Sequence, residues 1–149
     1  MAVARLTKDA RASVLAAAGE EARSSGQDSV EAEHLLLALV DHPDLRDFGL
    51  DRGRLLAALA EEEERSLAVL GVSAGEFDLS CTARRPRRAK HSTSSKLALQ
   101  RAVKLTIGRG DRRVSARHLL AGVLVAEHGR VPRALRIAAV DVDEILAHL

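Results

Sequence analysis

A chain of 149 residues with 23 Lys/Arg against 21 Asp/Glu is long enough to bury a core without covalent staples. Its single cysteine, Cys81, rules out an internal disulfide and a Cys-based zinc or iron–sulfur site. Without Trp or Tyr, and with only Phe48 and Phe77 as aromatics, the core must be Leu, Val and Ala, a composition for closely packed helices and an all-α class.

The near-neutral total hides a division. Residues 1–82 hold 8 Lys/Arg against 16 Asp/Glu, a balance of −8, while residues 83–149 hold 15 against 5, a balance of +10. Mutual attraction of the two halves is the simpler reading, and an acidic partner for the basic half is the sharper one. No run approaches the roughly 18 apolar residues of a membrane span. Charges at Arg5, Lys8, Asp9 and Arg11 replace the apolar core of a signal peptide, so a soluble, cytoplasmic protein without a membrane partner is expected.

In chain order, Thr7 is placed to cap a helix running to about Ser24, with Val14, Leu15, Ala18 and Ala22 inward, Glu20, Glu21 and Arg23 outward, and Gly26 as its stop. Asp28 and Ser29 are capping candidates for the next helix, which Pro43 ends. Asp51 caps a third helix through Leu55, Leu56, Leu59 and Leu67 to Leu70, with Glu61 to Glu64 read as a solvated face. Periodicity breaks from Gly71 to Lys90, around A-R-R-P-R-R-A-K. It resumes with a serine-rich start at Ser92 to Ser95, a helix ending at Gly108 and Gly110, a helix capped by Ser115, a segment with Pro132 near its start, and a last helix from Asp141 to Leu149.

The pattern is a repeat. Val30, Ala32, His34, Leu35 and Leu36 return as Val114, Ala116, His118, Leu119 and Leu120, and Leu15, Ala18 and Gly26 as Leu99, Ala102 and Gly110. Within each copy the apolar positions make one helical face, predicting that Leu35, Leu36, Leu39, Leu119, Leu120 and Val123 are buried. Before the last helix the second copy carries an additional segment that the first lacks.

A helix, a glycine turn and Glu33-His34-Leu35-Leu36, repeated in degenerate form as Arg117-His118-Leu119-Leu120, resemble the tandem repeat of the Clp N-terminal domain, the module that precedes the ATPase rings of ClpA- and ClpC-type unfoldases. The resemblance runs from Leu6 to Leu149. It implies two tandem, pseudo-two-fold related lobes of three to four short helices in one domain: repeat 1 over about residues 6–70, a basic linker over about 71–91 and repeat 2 over about 92–149. It also implies a non-catalytic module that binds peptides or client proteins, arginine-phosphorylated clients among them, and works with a Clp unfoldase or its adaptors as adaptor, decoy or regulator in proteolysis or the stress response. No P-loop string G-x-x-x-x-G-K-[ST] occurs, so the chain resembles a free-standing Clp-N protein lacking the motor, with no cofactor.

The family motif reads G-T-E-H in each lobe, its glutamate suited to a guanidinium. Here it reads Glu31-Ala32-Glu33-His34 and Ser115-Ala116-Arg117-His118. The expected peptide-binding residues are therefore Glu31, Glu33 and His34 in lobe one, preferring a basic group, and Ser115, Arg117 and His118 in lobe two, preferring an anion. For the two histidines the competing reading is structural, capping or bonding across the lobe. An alternative function is salt-dependent binding of nucleic acid or another polyanion by Arg84, Arg85, Arg87, Arg88 and Lys90, although no aromatic residue accompanies them for stacking. No H-E-x-x-H pair, nucleophile elbow or cysteine–histidine pattern is present, so neither a metal site nor an enzyme is expected.

Overall fold

The computed structural model describes residues 5–72 and 90–149. Strand β1 (Arg5–Leu6) leads into a helical run in which a π-helical segment, Ala10–Leu15, continues as α1 (Ala16–Ser24). Thr7 does cap this run, its Oγ1 accepting from the Ala10 amide at 3.0 Å. The wide first turns have a local cause: the Ser13 hydroxyl donates to the Asp9 carbonyl at 2.6 Å, the acceptor that an α-turn gives to the Ser13 amide.

After the turn come β2 (Ser29–Val30), α2 (Ala32–Val40), a 3₁₀ segment (Pro43–Phe48) and α3 (Arg52–Val69). The second half comprises β3 (Lys90–His91), α4 (Thr93–Gly108), β4 (Arg113–Val114), α5 (Ala116–Leu124), α6 (Arg130–Ile137) and α7 (Val142–His148). Gly26 and Gly110 end α1 and α4 at φ +70° and +78°, a backbone region that costs other residues strain. Asp51 and Ser115 stand at the N-caps of α3 and α5 as predicted, and Asp141, expected only as the start of the last helix, caps α7, whereas α2 is capped by Glu31 and not by Asp28 or Ser29.

The chain is all-α apart from two-residue strands too short to leave a sequence signal. They show the symmetry directly. β1 lies parallel to β4, with Leu6 opposite Val114, and β2 lies parallel to β3, with Val30 opposite His91, so each lobe's leading strand pairs with the second strand of the other lobe. The amides of Thr7 and Ser92 extend the two clasps by bonding the Val114 and Val30 carbonyls at 2.9 and 3.0 Å. The lobes are thus related by an approximate two-fold.

At the centre, α2 and α5 pack on each other and on α1 and α4. From Glu33 to Val40 every residue of α2 is buried, as a helix surrounded on all sides must be. Leu35, Leu36, Leu39, Leu119, Leu120 and Val123 are all 2% exposed or less. The α4–α5 crossing is the tightest point: a Cβ on Gly122 would lie 2.4 Å from the Ala98 carbonyl oxygen. Helix α6 fills the additional segment of the second copy and lies against α3 of the first. The predicted apolar run of α3 holds only in part, since Leu55 and Leu59 are buried but Leu70 is 76% exposed beyond the last packed turn.

Candidate functional site

Helix α2 begins where the extended backbone of β2 meets Glu31. The Glu31 amide donates to His34 Nδ1 at 2.9 Å, and the same bond recurs in the other lobe from the Ser115 amide to His118 Nδ1 at 3.1 Å. These histidines occupy the third helical position and serve as the return half of a capping box. His34 is 2% exposed, and burial, only partly opposed by Glu31 and Glu21, holds its imidazole below the usual range and hence neutral. His118 turns its other nitrogen to Asp111 Oδ2 at 3.0 Å.

Glu31 faces the serine-rich start of α4. Its Oε2 accepts from Ser92 Oγ at 2.7 Å and Ser94 Oγ at 2.6 Å, and its Oε1 accepts from Ser29 Oγ at 3.2 Å. Burial alone would raise this carboxyl, but the three hydroxyls outweigh it and hold Glu31 below its ordinary value, ionised. Ser94 also accepts from the Ala32 amide at 3.0 Å, so a serine of lobe two satisfies the first turn of α2.

Glu33 is 7% exposed and already holds a guanidinium: Arg130 Nη1 donates to its Oε1 at 2.6 Å. Arg130 also approaches Glu62 and Glu63, each at 3.3 Å, and Glu62 accepts from Arg133 Nε at 2.7 Å. Burial pushes the Glu33 carboxyl up despite Arg130, helped by the nearby charges of Glu31 and Glu63. For Glu62 burial is overcome by Ser66, Arg133 and Arg130, and the carboxyl sits below its usual value. The glutamate run of α3 is therefore not simply a solvated face. Glu62, 3% exposed, faces inward, and part of the opposite charge of the two halves is spent in this α3–α6 contact.

A cleft of about 400 Å³ opens beside these groups, between the start of α2, the first turns of α4 and the residues entering α6. Glu31, Glu33, Arg101, His128 and Arg130 supply its charged wall, with Leu97, Val131 and Pro132 among its apolar lining. Of the six residues expected to bind peptide, Glu31 and Glu33 reach this wall and His34 is turned inward. Ser115, Arg117 and His118 belong to the start of α5 and are not part of the cleft. Arg117 is exposed and stacks over Phe48 of the 3₁₀ segment at 5.6 Å. By the two-fold this contact is the counterpart of Glu33 meeting Arg130, since each involves the residue after a helix's first position and the segment that follows the partner lobe's central helix.

Arg84, Arg85, Arg87, Arg88 and Cys81 lie outside the described residues, whereas Lys90 is exposed in β3. Among the described residues one group places metal-capable atoms within 4.8 Å of one another: Asp9, His42 and Asp44. Both His42 nitrogens are engaged there, one with Asp9 Oδ2 at 2.8 Å and one accepting from the Asp44 amide at 3.2 Å, which accounts for the cluster without an ion. No described helix is long and apolar enough to cross a membrane.

The sequence left Ser94, Arg101, His128 and Arg130 unmarked as site residues. Ser94 carried a weak signal as one of several possible caps for its own helix; the others carried none, being brought to α2 only by the lobe-to-lobe packing.

No curated protein matches the chain by sequence. Among solved structures, the chain is similar to the N-terminal domain of the caseinolytic protease associated chaperone ClpD from Arabidopsis thaliana, with TM-score 0.67, 20% identity, and 96% of this chain and 93% of that one covered. It is likewise similar to the Hsp104 N-terminal domain from Candida albicans, with TM-score 0.64, 18% identity, and 96% and 87% covered. The sequence model of the Clp repeat (R) N-terminal domain matches residues 5–85, more than half of the chain. With the doubled E/R-H-L-L helices related by a two-fold and the same fold in both neighbours, the chain belongs to the Clp repeat N-terminal domain family.

Proposed function

We propose that this chain is a non-catalytic recognition module that takes an extended peptide segment of a client or adaptor protein into the inter-lobe cleft. The observation that carries the reading is the cleft itself, about 400 Å³, walled by both lobes and combining apolar surface with charged groups of both signs. Membership of a family of interaction modules supports it, as does the use of the repeated histidines' Nδ1 atoms in helix caps. Service as adaptor, decoy or regulator beside a Clp unfoldase extends this reading.

The guanidinium preference expected of Glu33 is altered by the geometry. Arg130 already neutralises that carboxylate, so a phosphorylated arginine entering lobe one would have to displace an ion pair held by three glutamates. A peptide array of overlapping segments from an unfolded protein, probed with wild type and with Ala126→Trp, which fills the cleft, tests the proposal. Binding that the tryptophan removes from most positive segments is expected; an unchanged array with a correctly folded variant would contradict it.

A further inference from the structure

On the wall of the cleft, nearly every acidic and donor group is already committed. Glu31 is held by Ser29, Ser92 and Ser94. Glu33 is held by Arg130, and Arg130 in turn by Glu33, Glu62 and Glu63. Ser94 spends its oxygen on the Ala32 amide and its proton on Glu31. Gln27 is turned to the Glu33 carboxylate. The polar side chains that remain on the lining are Arg101, on the third turn of α4, and His128, on the approach to α6, neither in an ion pair among the described residues. Both present N–H donors, and Arg101 is half-buried against the cleft wall. Leu97, 42% exposed, stands one turn before Arg101 on the same wall, with Val131 and Pro132 across the cleft.

An incoming cation would therefore find carboxylates that already have partners, whereas an incoming carboxylate would find a guanidinium that pairs with no acid among the described residues. The lobe that supplies Arg101 reinforces this, since its described residues, 90–149, carry 11 Lys/Arg to 5 Asp/Glu. We propose that the cleft selects an acidic peptide segment, in which an Asp or Glu carboxylate pairs with Arg101 and a neighbouring aliphatic side chain rests on Leu97, Val131 and Pro132. The inference rests on the cleft being the peptide site, and it names the class of peptide.

The test uses two fluorescein-labelled peptides of equal length, one built of Ser, Asp and Leu, the other with Arg in place of every Asp, titrated by anisotropy against wild type, Arg101→Gln, Lys104→Gln and Ala126→Trp. Lys104 is an exposed cation on the same helix outside the cleft and controls for general attraction. Expected are preferential binding of the acidic peptide, a loss of about 10-fold or more in Arg101→Gln, as befits a charge-assisted contact, and a change under about twofold in Lys104→Gln. Equal binding of both peptides, or equal losses in the two charge variants, overturns the selectivity while sensitivity to Ala126→Trp would still uphold the cleft. Binding of the acidic peptide that ignores both Arg101→Gln and a folded Ala126→Trp overturns the cleft reading and the inference together.

Discussion

Arg130 shows how much a single side chain reconciles here. It joins α6 to α2 and α3 through Glu33, Glu62 and Glu63 and reaches the Leu59 carbonyl at 3.3 Å. Removing it strands the buried Glu33 carboxylate, while Glu62 keeps Arg133 and Ser66; breaking a buried pair typically costs about 3–5 kcal/mol, and with Arg130 29% exposed, we expect Arg130→Ala to cost about 2–3 kcal/mol in urea unfolding. Glu33→Gln should cost clearly less, because burial already disfavours the Glu33 charge. A larger loss from Glu33→Gln than from Arg130→Ala would contradict this assignment. The buried imidazoles make a second prediction. Burial lowers His34 and also His91, the latter with help from Lys96, so in both cases the folded value lies below the unfolded 6.5. The unfolded chain then binds protons that the folded chain refuses, and stability present above 6.5 is lost as pH falls from there toward the folded values. Glu33, raised in the fold, opposes this loss only at lower pH, near the carboxylate range, where Glu31 and Glu62 begin to add to it. Thermal melting between about pH 7.5 and about pH 5.5 should show a falling midpoint, flattened in a His34→Gln, His91→Gln double variant, in which Gln at 34 can keep the return bond of the capping box and Gln at 91 can still reach the Ser95 hydroxyl. A midpoint independent of pH in the wild type would contradict it.

At the scale of elements, the most constrained contact is the α4–α5 crossing, where Gly122 lets two helices approach until the next Cβ has no room. Gly122→Ala should destabilise by about 1–3 kcal/mol, the usual cost of overpacking, although alanine is the better helix former. A stabilised variant by calorimetry would mean that the helices separate without loss. What the sequence revealed at this scale divides by distance along the chain. Thr7, Asp51 and Ser115 are legible as caps because each serves the helix it precedes, and the buried leucines of α2 and α5 are legible because helical periodicity is local. The clasp strands are two residues long and have no period to read. The capping role of Glu31 is not legible because it works with Ser92 and Ser94 from the other lobe, and the pairing of Glu33 is not legible because its partner, Arg130, lies 97 residues away. Glu62, one of four consecutive glutamates, looked solvated for the same reason.

For the whole molecule, the acidic first half and the basic second half meet, among the described residues, along α3 and α6, and the cleft lies where that meeting leaves a gap beside α2. The repeat made the symmetry visible in advance, but the cleft breaks it: the contact of Arg117 with Phe48 stands where the other lobe has Glu33 with Arg130. The central claim is that peptide is held by this cleft and not by the start of α5. Mapping amide shifts by NMR as the Asp- and Leu-containing peptide is added tests it most directly. The account predicts the largest shifts at Ala32, Glu33, Ser94, Arg101, Gly129 and Arg130, with Ala116 to His118 unmoved; shifts gathered instead at Ser115, Arg117 and His118 would contradict it.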